Sequence, residues 1–133
     1  MQSSNDFRDL GNNEFTGELP PSFKELKKLW SFGIRGNNFA GPIPKYIANW
    51  ENLEQLGLMG NNFEGPLPTG ITLLTNLTYL AVNGLTASPR RGKSFTLPDV
   101  TKMTSLNSLT LRNCSLTGPI PDIIWQLPSL SYL

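Results

Sequence analysis

A short asparagine-containing segment recurs at nearly regular intervals, and this repetition constrains the fold more than any other feature of the sequence. The copies are GNNEFTGELP at 11–20, GNNFAGPIP at 36–44, GNNFEGPLP at 60–68 and RNCSLTGPIP at 112–121. Asn13, Asn37 and Asn61 follow one another at steps of 24 residues. A third equal step reaches Leu85, and Cys114 comes 29 residues later. A fixed period of this size is typical of a solenoid, in which each unit packs only on its neighbours.

Apolar residues recur at every third position after the proline that ends each copy. Pro44, for example, is followed by the series Ile47, Trp50, Leu53 and Leu56. Leu56 and Leu58 then lie two residues apart, which is the spacing of a short strand with one buried face. The series predicts that Trp50 fills the core. Trp30 and Trp125 lie just off it, and we expect them to be partly packed against neighbouring coils.

The asparagine of each copy stands where the chain leaves this strand. An amide side chain at such a turn can satisfy backbone groups that would otherwise have no partner. Stacked units would align these positions into a structural ladder made of Asn13, Asn37, Asn61 and Cys114. We expect an apolar replacement to cost about 1–3 kcal/mol for each buried group left unsatisfied. Because Cys114 occupies a ladder position, we predict a buried structural thiol there rather than a reactive one.

These units resemble the plant-specific extracellular leucine-rich repeat. Its pattern LxxLxLxxNxLxGxIPxxLxxL is matched at nearly every position from Leu53 to Leu77, and the GxIP or GxLP element that marks the class occurs four times in register. The resemblance covers roughly residues 8–133. It implies an α/β-type solenoid, a right-handed leucine-rich-repeat superhelix with a parallel concave β-sheet and an irregular or 3-10 convex side. Such repeats occur chiefly in ectodomains of receptor-like kinases and receptor-like proteins.

We expect residues 1–133 to form a single array of about five units. The predicted bounds are 8–28 for a partial first unit, 29–52, 53–76, 77–105, 106–129 and 130–133 for a truncated last unit. The unit at 77–105 carries an insertion near 86–96. Within the insertion, Arg90, Arg91 and Lys93 form a basic cluster that is either a contact for an acidic partner or an ordinary solvated loop. This irregular unit resembles the branch of receptor-like kinases whose ectodomain adds a malectin-like module.

Both ends of the chain depart from the repeat pattern. Asn5 and Arg8 fall where leucines are expected, so we predict that the strand before Asn13 is frayed. At the other end, Leu133 lies inside a predicted strand. The sequence shows neither the basic and apolar segments of a signal peptide nor an apolar run long enough to span a membrane. We therefore expect a fragment of a longer protein.

Charge and residue types argue against catalysis, metal binding and nucleic-acid binding. The net charge is +1, which is too small to draw the chain onto nucleic acid or a membrane surface. The chain has no histidine and only one cysteine, which removes the commonest metal-ligand sets and an internal disulfide. Of the ten acidic residues, only Asp9 maps to a predicted concave position. We predict no enzyme activity in this segment and no cofactor.

The best functional candidate is the strip of side chains that strand alternation points away from the core. The predicted members are Ser31, Gly33, Arg35, Gln55, Gly57, Met59, Tyr79, Ala81, Asn83, Ser108, Thr110 and Arg112. In the family such strips bind extended peptides, and in several receptors an Arg-x-Arg pair holds the terminal carboxylate. That pair is absent, and Arg35 and Arg112 lie three strands or about 14 Å apart, so they cannot jointly hold one carboxylate. The sequence therefore does not support a peptide-hormone role. The strip either binds a protein or peptide ligand or a co-receptor, or is an idle scaffold surface.

Two sequons for asparagine glycosylation occur, at Asn76 and Asn113. We expect Asn76 to be the better acceptor, because the loop before a strand is roomier than the edge of the sheet. The resemblance and the sequons together suggest part of the ectodomain of a plant receptor-like kinase, at the extracellular face of the plasma membrane or secreted. An alternative is a secreted enzyme inhibitor resembling polygalacturonase-inhibiting proteins, although those are regular and capped. A third possibility is a truncated relic with no partner.

Overall fold

The computed structural model describes residues 6–87 and 94–133. Asn5 and the basic cluster at Arg90, Arg91 and Lys93 lie outside the described residues. The described residues form eight strands: β1 (Asp6–Asp9), β2 (Thr16–Gly17), β3 (Leu29–Gly33), β4 (Asn38–Pro42), β5 (Gln55–Gly57), β6 (Asn62–Glu64), β7 (Tyr79–Asn83) and β8 (Ser108–Arg112). Within the same two stretches, four 3-10 helices span Pro21–Glu25, Lys45–Asn49, Thr69–Leu73 and Asp122–Gln126.

The strands form two parallel sheets that run along the stacked coils. The first, which we call the concave sheet, has the order β1-β3-β5-β7-β8, and the second has the order β2-β4-β6. Each coil thus contributes one strand to the concave sheet and returns through a 3-10 helix or an irregular segment to the next. This arrangement confirms the predicted solenoid of α/β type.

The first strand is better formed than the sequence suggests. β1 pairs in parallel with β3 from Asp6 to Asp9, with a register irregularity between Asp6 and Phe7. Arg8 is paired with Phe32 although it replaces a leucine. The prediction of a frayed strand before Asn13 is therefore wrong for the described residues. Backbone hydrogen bonds to the neighbouring strand hold β1 in place, so the strand does not depend on its own apolar side chains.

The core lies between the two sheets and consists of the third-position series from successive coils. Phe32, Leu56, Leu80 and Leu109 stand side by side in the sheet register, and all are almost completely buried. Trp50 is fully buried, and its indole N–H donates to the backbone oxygen of Phe23 at 3.0 Å. Its prediction as core filler is confirmed. Each coil buries its apolar row against its neighbours, as repeat proteins require.

The irregular unit interrupts the second sheet without disturbing the concave one. Thr86 forms a bridge with Glu64 of β6, and Phe95 forms one with Leu116 in the next coil. The core series resumes after this interruption with the buried residues Val100, Met103 and Leu106. β7 and β8 remain paired over five residues each. The concave sheet is therefore continuous across the irregular unit.

Candidate functional site: the concave sheet

The outward-facing residues of the concave sheet fall into three rows that cross the strands. The first row is Phe7, Ser31, Gln55, Tyr79 and Ser108, and the second is Asp9, Gly33, Gly57, Ala81 and Thr110. The third row is Gly11, Arg35, Met59, Asn83 and Arg112, which come two positions after the second. The structure thus brings the twelve residues of the predicted strip onto one face of the sheet. Their role as a binding site stays a prediction.

The second row forms a narrow floor because its central members are small. A methyl group added to Gly57 would lie 4.0 Å from Cε1 of Tyr79, so the tyrosine ring leans over this glycine. Ala81 is fully buried. Ser31 is only 5% exposed, and its hydroxyl lies 3.4 Å from Oε1 of Gln55. Ser31, predicted to face outward, therefore offers a partner little surface.

The third row carries the charge of the surface. Arg35 and Arg112 are both exposed. In residues 6–87 and 94–133, which include all ten acidic side chains, the one ion pair within 4.0 Å joins Arg8 and Asp6 at 3.7 Å. Arg35 and Arg112 thus have no carboxylate partner in the part of the chain that is described. The strand order places them three strand spacings, or about 14 Å, apart.

Asn83 is fixed by a hydrogen bond to the preceding coil. Its Oδ1 accepts from the backbone N–H of Gly60 at 2.7 Å. An amide whose oxygen is engaged in this way still has two N–H donors on its nitrogen. The side chain is half-buried. Asn83 therefore adds donor capacity to the third row, between Met59 and Arg112.

An aromatic pair on the neighbouring strands β1 and β3 was not predicted from the sequence. Phe7 is 52% exposed and lies in the first row, and its ring centroid is 5.9 Å from that of Trp30. Phe7 was not predicted to lie on this surface, because β1 was expected to be frayed. Its position two residues before Asp9 nevertheless indicates that both side chains face the same side of the strand. Trp30 is half-buried, whereas Trp125 on the last 3-10 helix is 67% exposed. Trp125 is thus far less packed than the sequence predicted.

The asparagine ladder supports the surface from below. The Asn61 amide donates to the backbone oxygens of Ile34 at 2.9 Å and Leu58 at 3.2 Å, and its Oδ1 accepts from the N–H of Phe39 at 3.1 Å. Asn37 repeats this pattern one coil earlier. Asn13 is exposed and donates only within its own coil. Two of the predicted asparagines thus connect successive coils.

In the irregular unit, an apolar residue takes the ladder position that asparagine fills in earlier coils. Leu85 fills the ladder position and is buried, so the ladder amide that joins earlier coils is missing there, and Asn83 supplies the amide contact to the coil before. Cys114 follows, also buried, with Sγ 3.3 Å from the oxygen of Arg112 and 3.6 Å from that of Val82. Burial raises the pKa of the Cys114 thiol. Both properties suit a structural rather than a reactive cysteine.

The two sequon asparagines have different surroundings. Asn76 is exposed, and its amide donates to the backbone oxygen of Glu51 at 3.3 Å. Asn113 is also exposed but adopts a left-handed backbone with φ 53°. Ser115, the hydroxyl residue of the second sequon, has φ 54° and donates to the oxygen of Leu85 at 3.0 Å. The second sequon is thus part of a constrained turn.

The described residues are not arranged for metal binding. No cluster of three or more histidine, cysteine or acidic side chains occurs in residues 6–87 and 94–133. Asp9 lies on the concave sheet as expected, and its Oδ1 accepts from the N–H of Gly11 at 2.9 Å. In the same stretches, none of the helices has the length and apolar character needed to cross a membrane.

Comparison with known proteins identifies leucine-rich repeats in this chain. The Leucine Rich Repeat family model matches residues 9–26 and 105–127, and no curated protein sequence matches the chain. Among solved structures, the Arabidopsis receptor kinase HAESA, in complex with the peptide hormone IDA and the co-receptor SERK1, is 30% identical with a TM-score of 0.86. That match covers 96% of this chain and 20% of the HAESA chain.

Two further structures show how widely this architecture is used. The structure of PEPR1 with AtPEP1 is 28% identical with a TM-score of 0.85, over 95% of this chain and 17% of that one. A plant ice-binding protein is 28% identical with a TM-score of 0.74, over 87% of this chain and 36% of that one. This chain spans at most about a fifth of either receptor chain. The malectin-like branch stays a prediction. The family-model matches, the parallel sheets and these likenesses show that the chain has a leucine-rich-repeat fold and resembles the ectodomains of plant receptor kinases.

Proposed function

We propose that this chain is part of the extracellular domain of a plant receptor kinase and that its concave sheet holds a peptide ligand or a co-receptor. The observation that carries the proposal is the concave sheet itself. Five parallel strands present three rows of side chains, and one row contains two arginines without a carboxylate partner in the described residues. Among the similar receptor structures, HAESA is in complex with the peptide hormone IDA and the co-receptor SERK1, and PEPR1 is in complex with AtPEP1.

The shape of the surface supports an extended ligand. The second row has small or no side chains at Gly33, Gly57 and Ala81, whereas the longer side chains of Gln55 and Met59 lie on either side of it. A backbone could approach the sheet closely along such a floor. The ladder bonds of Asn37 and Asn61 keep neighbouring strands in register, so the surface is ordered before any ligand arrives. A preorganised surface loses less entropy on binding.

Recovery of peptides from plant extracellular fluid would test this proposal. The full chain is immobilised, incubated with the small-peptide fraction of the fluid, and the retained peptides are identified by mass spectrometry. Gly57→Trp would block the floor. Leu73→Trp is the matched control, because Leu73 is 65% exposed on a 3-10 helix away from the concave sheet. We expect peptides to be retained by the wild type and the control and lost from the blocked variant.

Equal retention by the blocked variant and the control would contradict the proposal. The inhibitor alternative predicts a different result, namely strong inhibition of a polygalacturonase by the longer protein. The similar receptor structures do not favour that alternative. The proposal also places the chain outside the cell, where Asn76 would be available for glycosylation.

A further inference from the structure

We infer that the concave sheet selects an acidic extended peptide in which two carboxylate side chains, four residues apart, pair with Arg35 and Arg112. This inference rests on the proposed function and specifies its ligand. It starts from the two exposed guanidinium groups of the third row. Neither has a carboxylate within 4.0 Å in residues 6–87 and 94–133, so both are available to a partner.

The spacing of the arginines determines the spacing of the acids. Arg35 follows β3 and Arg112 ends β8, and two strands, β5 and β7, lie between them. At about 4.8 Å per strand the separation is about 14 Å. An extended peptide advances about 3.3 Å per residue, so four residues span about 13 Å. Side chains four residues apart also point to the same face of an extended chain, so both acids can face the sheet together.

The residues between the arginines fit this ligand. Met59 offers an apolar contact one strand after Arg35. Asn83, one strand further, has its oxygen occupied by the N–H of Gly60 and presents its amide nitrogen as a donor. From Arg35 to Arg112 the third row therefore contains donors and one apolar side chain, but no carboxylate. A ligand rich in acceptors matches this row best.

Asp9 sets the direction in which the ligand extends. Its carboxylate lies in the second row on β1, beside the strand that leads to Arg35. A carboxylate of the ligand placed over β1 would meet this charge and be repelled. The acidic peptide is therefore expected to extend from Arg35 toward β8 rather than toward β1.

Nuclear magnetic resonance titrations of the full chain would test this inference. The probes are acetylated and amidated nine-residue peptides of serine and threonine. One has glutamates at its third and seventh positions, a second has them at its third and sixth, and a third has glutamines at the third and seventh. The first peptide should bind most tightly and shift the amide signals of β3, β5, β7 and β8. The second has the same charge but points its acids to opposite faces, so it should bind several-fold more weakly.

Arginine variants connect this selectivity to the two side chains. Arg35→Gln and Arg112→Gln should each weaken binding of the first peptide by about five- to tenfold, as expected for a charge-assisted hydrogen bond at a partly exposed site. Lys24→Gln and Lys45→Gln are matched controls, because they remove the same charge from exposed sites on or at the 3-10 helices. These controls should leave the affinity unchanged.

Several results would overturn the inference. Three of them are equal binding of the three peptides, unchanged affinity of the first peptide for both arginine variants, and the absence of any shift in the amide signals. The fourth is tighter, arginine-dependent binding of an oligogalacturonide, which would make the ligand a polysaccharide. Equal binding of the three peptides at the concave sheet would leave the proposed function standing. Failure of the proposed function would appear separately, as unchanged retention of extracellular peptides by Gly57→Trp.

Discussion

Replacing Asn61 by leucine tests whether the amide ladder holds the coils together. In the native chain two backbone groups depend on this side chain: the oxygen of Leu58 and the N–H of Phe39. The oxygen of Ile34 also accepts from Asn61, but it keeps the amide of Asn37 as a second donor. Asn61 is 9% exposed, so water has little access to replace the lost bonds. At about 1–3 kcal/mol for each of the two buried groups left unsatisfied, the loss is about 2–6 kcal/mol.

Part of this loss is recovered by apolar burial. A buried leucine side chain contributes about 1.5–3 kcal/mol, and the native Leu85 shows that the ladder position accepts this side chain. The net destabilisation expected for Asn61→Leu is therefore about 0.5–3 kcal/mol. Asn13→Leu is the matched control, because Asn13 is exposed and donates only within its own coil. Its expected cost is below about 0.5 kcal/mol.

Urea unfolding followed by the fluorescence of the buried Trp50 would measure both free energies of unfolding. Amide hydrogen exchange gives a local test, because the N–H of Phe39 should lose protection in Asn61→Leu and keep it in Asn13→Leu. Equal destabilisation by the two variants, or unchanged protection at Phe39, would refute the idea that amides connect the coils.

Three further predictions address packing, titration and modification. Gly70→Ala should destabilise the chain by about 1–3 kcal/mol, because the new methyl group would lie 2.8 Å from Cβ of Ala48. Adding Ala48→Gly to this variant removes the clash and should restore the midpoint of urea unfolding. Burial raises the pKa of Tyr46 from 10.0 to about 12. The stability that the neutral Tyr46 side chain contributes should therefore be lost as the pH rises through this range. In urea unfolding at different pH values, Tyr46→Phe should show a smaller loss of stability at alkaline pH than the wild type. If the chain is secreted by plant cells, Asn76→Gln should abolish most of the mass shift produced by deglycosylation, whereas Asn113→Gln should change it little; the opposite pattern would contradict the assignment.

The repeat period alone determined the fold and most of the core. Because a solenoid places each residue beside its equivalent one period away, the spacing of Leu56 and Leu58 was enough to identify the buried face of every complete coil. The same reasoning placed Asn37 and Asn61 at positions where their amides reach the preceding coil. It also placed Arg35 and Arg112 on one surface at the separation found in the strand order.

Tertiary structure decided what each surface residue can offer a partner. Pairing with β3 orders β1 despite Arg8, because backbone hydrogen bonds do not depend on side-chain type. Ser31 is buried beside Gln55, although alternation points it outward. The oxygen of Asn83 is occupied by an N–H from the coil before it, which no spacing reveals. A sequence period specifies which face a side chain occupies, whereas its exposure and free donors depend on the neighbours that the folded coils bring to it.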